Sequence, residues 1–99
     1  MAEFREGQSV WVKVQDVQPG PFDEKLVIIN TGPTNLSGFV NKKFVEERGS
    51  ATFINGRVIA VTPEAVNLQL PVSFFTTAAG MASVPREWAS QNVETAEAA

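Results

Sequence analysis

The chain has 99 residues, 43% of them apolar, which suits one small domain with a single hydrophobic core. Eight Lys and Arg residues against eleven Asp and Glu residues give a net charge of −3, so the chain lacks the strongly basic surface of a dedicated duplex-DNA binder. It contains no cysteine and no histidine, which excludes disulfides, thiolate zinc sites and catalysis by cysteine or histidine.

Hydropathy gives no sign of a membrane segment. No apolar stretch approaches the roughly 20 residues that a membrane-spanning helix needs. The opening residues, MAEFREGQSV, contain no apolar signal core. We therefore expect a soluble, cytoplasmic protein with no membrane partner.

The first part of the chain contains two predicted strands, separated by a turn. SVWVKVQDV, residues 9–17, alternates in the manner of a half-buried strand, with Trp11 and Lys13 facing outward. The inward side consists of Val10, Val12 and Val14. Two prolines and a glycine in QPGP, residues 18–21, predict a turn there. KLVIIN, residues 25–30, is predicted to be a second strand.

Three more strands and a brief helical insertion follow. LSGFVN, residues 36–41, is predicted to be the third strand. KKFVEERGS, residues 42–50, indicates one helical turn that ends at Gly49. ATFINGRVIAV, residues 51–61, and VNLQL, residues 66–70, predict a hairpin joined by TPEA. In this hairpin Phe53, Val66, Leu68 and Leu70 are expected to be core residues.

After Pro71 the apolar pattern loses its period. Residues 72–90 are expected to form an extended segment packed on the preceding strands, with a short helix that starts at Pro85. Residues 91–99 carry little apolar content, which predicts a disordered tail.

This order predicts an all-β fold, a small closed five-stranded barrel with the order β-β-β-short helix-β-β. An oligonucleotide/oligosaccharide-binding (OB) barrel has that order, and an SH3-like or Sm-like barrel is the alternative. The predicted division is an OB-like barrel over residues 1–71, a packed C-terminal segment over residues 72–90 and a tail over residues 91–99.

The segments GQSVWVKVQDV, GPFDEKLVIIN, LSGFVNKKF and INGRVIAVTPEAVNLQL resemble the S-one-type RNA-binding domain, the OB-fold repeat of a large small-subunit ribosomal protein. The resemblance covers about residues 6–70 and implies an OB fold with an RNA-binding face. Three positions depart from the family pattern. Val12 lies where the family commonly has glycine, Phe22 is the only aromatic residue in its loop, and Asn41 replaces a histidine.

Small barrels bind single-stranded nucleic acid through aromatic faces that stack on bases and cations that contact phosphates. The candidate contacts are Trp11, Lys13, Phe22, Lys25, Phe39, Asn41, Lys42, Lys43 and Arg57. With the barrel in the expected order, the five cations among them line one groove. The structural alternatives are that the C-terminal segment covers Trp11, that Phe22 plugs a barrel end, and that neighbouring acids balance the lysine pair.

The sequence contains no recognisable catalytic motif. There is no phosphate-binding glycine loop, nucleophile elbow or catalytic acid pair. Asp16, Asp23 and Glu24 lack the spacing of metal ligands. We therefore expect a non-enzymatic protein with no metal site and no cofactor.

The expected function is binding of single-stranded RNA, or DNA, with low sequence specificity. The alternative is a protein-interaction or assembly module that docks through VSFFTTAAGMASVPREW, because this segment carries more apolar residues than a solvated barrel needs. Self-association through that segment or through an exposed strand edge is a third possibility, and the sequence leaves the oligomeric state open.

Overall fold

The computed structural model describes residues 4–32, 35–74 and 80–95. The strands in these ranges are β1 (Ser9–Val14), β2 (Asp16–Pro19), β3 (Glu24–Asn30), β4 (Asn35–Asn41), β5 (Val45–Arg48), β6 (Ala51–Val61), β7 (Ala65–Gln69), β8 (Val72–Phe74), β9 (Met81–Pro85) and β10 (Val93–Thr95). A 3-10 helix spans Lys42–Phe44, and the helix α1 spans Arg86–Asn92. The predicted all-β class is confirmed. In the same ranges, no helix is long and apolar enough to cross a membrane.

Antiparallel pairing assembles the strands into two sheets. Sheet one has the order β10-β1-β6-β7-β9, and β5 pairs with one end of β6. Sheet two has the order β2-β3-β4-β8. Over the described residues the ladders do not close into a barrel, and there are ten strands where the sequence predicts five.

Two corners in the chain account for part of this difference. Only Gln15 separates β1 from β2, and its N–H already donates to the carbonyl of Ile28 in sheet two, at 2.8 Å. Leu70 and Pro71 separate β7 from β8, and Pro71 has no N–H to continue a ladder. At each corner one continuous stretch of chain leaves sheet one and enters sheet two.

The connector between β4 and β6 contains the predicted helical insertion, but in a shorter form. The 3-10 helix ends at Phe44, and the next four residues form β5 instead of completing a helical turn. Pairing with β6 explains the extended conformation, because Val45 lies opposite Ile54 and Arg48 lies opposite Ala51. Gly49, with a φ of 61°, then reverses the chain.

The core lies between the inward faces of the two sheets. The predicted inward residues of the first strand and of the hairpin are all buried: Val10, Val12, Val14, Val66, Leu68 and Leu70. They pack with Val27, Ile29 and Val40 of sheet two. Phe53 is buried as predicted but does not belong to this cluster, because it lies on the outer face of sheet one, opposite Lys13 in the β1–β6 ladder.

The C-terminal segment extends both sheets. β8 pairs with β4, β9 pairs with β7, and α1 packs with its Ala89 fully buried. Part of the predicted extended segment, residues 75–79, lies outside the described residues. α1 begins directly after Pro85, where the sequence predicts a short helix.

The predicted disorder of residues 91–99 is wrong where β10 forms. Val93 has an apolar side chain to bury, and it pairs with Val12 along an edge of β1 that would otherwise be unpaired. Residues 96–99 lie outside the described part of the chain, so the prediction is not tested there.

Candidate nucleic-acid interface

The turn between β2 and β3 carries an aromatic residue at its tip. The N–H of Glu24 donates to the carbonyl of Pro21, at 3.0 Å, and closes a four-residue turn with Phe22 in its second position. The sequence places a turn over residues 18–21. The reversal instead follows Pro19, because β2 is an edge strand and tolerates proline at its end.

Phe22 combines full exposure with an unfavourable backbone conformation. Its φ is 55°, and it is the only non-glycine residue with a positive φ in the described ranges. Positions of this kind in tight turns favour glycine, asparagine or aspartate, because a β-carbon crowds the backbone there. The exposed fraction of Phe22 is 101%, so the ring gains no packing in return. Strain without compensating packing is typical of a residue kept for contact with a ligand.

A shallow cleft, named here the Phe22 cleft, lies at the base of this turn. It is lined by Pro19, Gly20, Lys42 and residues 22–25. Its volume of about 150 Å³ is well below the roughly 300–1,000 Å³ of pockets that enclose small molecules. The cleft therefore suits part of an extended ligand that lies across the surface.

An exposed ion pair joins the two sides of the Phe22 cleft. The Nζ of Lys42 lies 3.6 Å from Oδ1 of Asp23, and these side chains are 64% and 73% exposed. The N–H of Lys42 also donates to the carbonyl of Asp23, at 2.8 Å, which holds the start of the 3-10 helix beside the turn. Exposed ion pairs contribute about 0–1 kcal/mol, so a phosphate can replace the carboxylate at little cost.

The 3-10 helix after β4 carries a further exposed lysine, Lys43, directly after Lys42. Oδ1 of Asn41 accepts a hydrogen bond from the N–H of Lys43, at 3.0 Å, and caps the 3-10 helix. Nζ of Lys43 lies 5.1 Å from the centroid of the Phe44 ring. Asn41 lies opposite Glu24 in the ladder, so this end of β4 adjoins the turn. The amide oxygen of Asn41 therefore has a structural role already, whereas Lys43 is exposed.

Phe39 and Lys25 complete the group on sheet two. Phe39 lies on the outer face of β4, half-buried and opposite Leu26. A β-carbon added to Gly20 would lie 3.2 Å from Cδ1 of this ring, so Phe39 packs against the chain that enters the turn. Lys25 is half-buried at the start of β3 and lines the Phe22 cleft. Six predicted contacts thus gather at one end of sheet two: Phe22, Lys25, Phe39, Asn41, Lys42 and Lys43.

The other three predicted contacts lie on sheet one. Trp11 and Lys13 are on the outer face of β1, and Arg57 follows on the same face of β6, opposite Ser9. The prediction that all five cations line one groove is therefore wrong. Two of them belong to a different sheet, because β1 and β6 pair with each other and not with β3 or β4.

A residue that sequence analysis missed covers Trp11. Cζ of Arg48 lies 5.3 Å from the centroid of the Trp11 ring and 4.7 Å from that of Phe53. Its Nε donates to Glu46, at 3.0 Å, and its Nη1 donates to Glu94, at 2.7 Å. The hydrogen bond to Glu46 and, to a smaller extent, the one to Glu94 raise the pKa of Arg48 above its ordinary value. Arg48, which Glu94 of β10 helps to hold, therefore covers Trp11. Phe75, one of the aromatic residues of the C-terminal segment, lies outside the described residues, so the alternative that this segment covers Trp11 is not tested there.

Two larger clefts in the described ranges contain one charged side chain each. The first, of about 280 Å³, is lined by Ser9, Phe44, Gln69, Leu70, Pro71 and residues 55–57. The second, of about 330 Å³, is lined by Thr31, Pro85, Glu87, Trp88 and Gln91. In the described parts of the chain, no group of three or more Asp or Glu side chains could hold a metal ion. Of these three clefts, the Phe22 cleft is the one that combines a fully exposed aromatic ring with two lysines, Lys25 and Lys42.

Comparison with known proteins gives this chain no family. A scan against protein-family models, a search of curated proteins and a search of solved structures each found no match. The resemblance to the S-one-type RNA-binding domain accordingly depends on the sequence segments alone.

Proposed function

We propose that this chain binds single-stranded RNA or DNA, with little sequence preference, at the Phe22 cleft. The observation that carries the proposal is the Phe22 ring, which is fully exposed on a backbone conformation that disfavours it. A base of any kind presents a flat face to such a ring, so stacking requires no particular sequence.

The charges around Phe22 support weak binding. Lys25, Lys42 and Lys43 lie at the same end of sheet two and supply contacts for phosphates. Asp23 and Glu24 line the same cleft and oppose a polyanion. Because the two signs nearly balance, most of the affinity must come from stacking, which is worth about 1–3 kcal/mol per base.

The path of the chain supports the finer proposal of an OB-type barrel. When the corner residues join β1 to β2 and β7 to β8, the main strands become five longer ones. Each of these five strands then lies beside the next in the order β1–β2, β3, β4, β7–β8 and β6, and β6 pairs with β1 again. An OB-fold is a partly open five-stranded barrel that binds ligands on its second and third strands and beside the loop between its first two. The Phe22 turn lies in that loop under this numbering.

The alternative of a protein-interaction module loses part of its basis. The basis of this alternative is the number of apolar residues after Pro71. Four of these residues, on the described strands and on α1, are buried in the core and cannot contact a partner: Val72, Ala82, Val84 and Ala89. Met81, 40% exposed, is the large apolar side chain that this segment leaves at the surface in its described part. Binding to nucleic acid is therefore the better-supported proposal.

Fluorescence polarisation with labelled single strands of about 12 nucleotides of mixed sequence tests the proposal. We expect binding at low salt and a loss of at least about fivefold in affinity for Phe22→Ala, since one stacked base is worth about 1 kcal/mol or more. Lys43→Ala should weaken binding as well. A duplex of the same sequence should bind less tightly, because its bases are already stacked on each other.

Matched variants show whether a loss of affinity comes from the Phe22 cleft or from any loss of an exposed apolar side chain or a positive charge. Met81→Ala removes the other strongly exposed large apolar side chain of the described residues and should leave the affinity unchanged. Arg5→Ala removes one exposed positive charge ahead of β1 and controls for Lys43→Ala. Absence of binding at low salt, or equal losses for Phe22→Ala and Met81→Ala, would contradict the proposal.

A further inference from the structure

Four strands of sheet one bring an arginine, two aromatic rings and two carboxylates together on its outer face. Trp11 is on β1, Phe53 on β6, Arg48 and Glu46 on β5, and Glu94 on β10. This cluster is named here the Arg48 site. It shares no residue with the Phe22 cleft.

The side chains of the Arg48 site match the two parts of a nucleotide. The guanidinium group lies 5.3 Å from the Trp11 ring centroid and 4.7 Å from that of Phe53, so it stacks over both rings as a cation. Its fork of N–H donors fits phosphate as well as carboxylate. Phe53 is buried, so half-buried Trp11 is the ring on which a base can stack when Arg48 turns toward the phosphate. Lys13, opposite Phe53 in the ladder, is an exposed second cation on this face.

Glu94 occupies the place that a phosphate would take. Its Oε1 accepts a hydrogen bond from Nη1 of Arg48, at 2.7 Å, and it lies directly opposite Trp11 in the β1–β10 ladder. The ion pair is exposed, with 36% of the Arg48 side chain and 57% of the Glu94 side chain accessible to solvent. Exposed pairs contribute little, and β10 pairs with β1 along three residues only. A competing anion therefore faces a weak intramolecular contact.

We propose that the Arg48 site is a second contact surface for single-stranded nucleic acid, and that Glu94 occupies its phosphate position until the ligand displaces it. The proposal rests on the proposed function for the class of ligand, but it concerns another face of the molecule. A carboxylate of the chain and a phosphate of the ligand compete for the same donors, so binding here and docking of Glu94 oppose each other.

Neutralising Glu94 tests this competition. Glu94→Gln keeps the shape of the side chain and removes its charge, so we expect a labelled oligouridylate of about 12 nucleotides to bind roughly threefold to fivefold more tightly. Glu87→Gln removes the same charge from an exposed position on α1 that is not among the described ion-pair partners of Arg48, and it should leave the affinity within about twofold of the parent. Both variants change the net charge by the same amount, so a difference in affinity between them reports the release of Arg48 from Glu94.

Fluorescence of Trp11 gives a second readout, which reports directly on the Arg48 site. The chain has two tryptophans, so Trp88→Phe leaves Trp11 as the only emitter. Saturating oligouridylate should quench its emission through stacking of a base, and more strongly in the Glu94→Gln background. Circular dichroism confirms that each variant is folded.

The outcomes separate this inference from the proposed function. If Phe22→Ala loses affinity while Glu94→Gln matches Glu87→Gln and Trp11 emission does not change, the Arg48 site is overturned and the Phe22 cleft stands. If Phe22→Ala has no effect while Glu94→Gln gains affinity and Trp11 is quenched, the Arg48 site stands and the Phe22 cleft is overturned. Absence of binding in every variant overturns both.

Discussion

At the scale of single residues, Phe22 shows a conflict between local conformation and residue type. The second position of its turn has a positive φ, for which a residue without a β-carbon is best suited. The ring contributes nothing to packing, because it is fully exposed. Stability alone therefore gives no reason for phenylalanine here, and a change that relieves the strain should separate stability from binding.

We predict that Phe22→Gly is more stable than Phe22→Ala by roughly 0.5–1 kcal/mol. The left-handed conformation costs about 1–2 kcal/mol for a residue with a β-carbon, and the greater freedom of glycine in the unfolded chain offsets about 0.5–1 kcal/mol of that gain. Phe22→Ala keeps the β-carbon and should match the parent protein. Urea denaturation of the three proteins measures the order. A Phe22→Gly variant less stable than Phe22→Ala would show that the turn is not strained.

At the scale of elements, the described residues after Pro71, 72–74 and 80–95, belong to the fold itself. β8 extends sheet two, β9 and β10 extend sheet one, and α1 buries Ala89 in the common core. Three short strands and one short helix from this segment therefore join a core whose other members come from residues 4–70. Truncation after Leu70 is expected to unfold the protein and not merely to remove a docking arm.

A pair of adjacent substitutions on β9 tests this role. Val84 is 1% exposed and Ser83 faces outward. Val84→Ala should lower the free energy of unfolding by about 1.5–3 kcal/mol, because it deletes buried methyl groups and leaves a cavity. Ser83→Ala should change it by no more than about 0.5 kcal/mol. Thermal denaturation of both variants gives the comparison, and equal stabilities would place β9 outside the cooperative core.

At the scale of the whole molecule, the five cations predicted to contact a ligand do not share one face. The net charge is −3, and the predicted cations are divided between the two sheets. Lys25, Lys42 and Lys43 lie near the Phe22 turn, whereas Lys13 and Arg57 lie on sheet one. A ligand bound at the Phe22 cleft therefore neutralises few phosphates.

This division predicts a shallow salt dependence. Release of counterions from single strands gives a slope of log affinity against log salt of about −0.7 per phosphate contact, so three lysines predict a slope of about −2. Engagement of all five cations would give about −3.5. Titrations from low to physiological salt distinguish the two values. A slope near −3.5 in the parent protein would mean that one ligand spans both sheets.

The features that the sequence predicts correctly are local ones. The alternation of Val10, Val12 and Val14 gave the inward face of β1, since the side-chain period of a strand is two. Lys42 and Lys43 adjoin the Phe22 turn because β3 and β4 form a hairpin, which keeps the residues at their ends together.

The contacts that sequence analysis missed join distant segments. The three residues of β10 are too few to show a period, and β10 pairs with a strand from the opposite end of the described chain. Arg48 and Trp11 come together only because β5 and β1 both flank β6. Neither composition nor spacing carries information on a pairing of this kind, so the sequence does not indicate that Arg48 covers Trp11.

The position of β1 in sheet one also sets an order of events during folding. Its two neighbours, β6 and β10, follow much later in the chain, whereas β3–β4 and β6–β7 join strands that are consecutive. Hairpins form within about 1–10 μs, but pairings between distant segments must first close a long loop. β1 is therefore synthesised well before β6, and its inward valines stay exposed to water until β6 pairs with it. Its second edge is paired only after Val93–Thr95 have been synthesised.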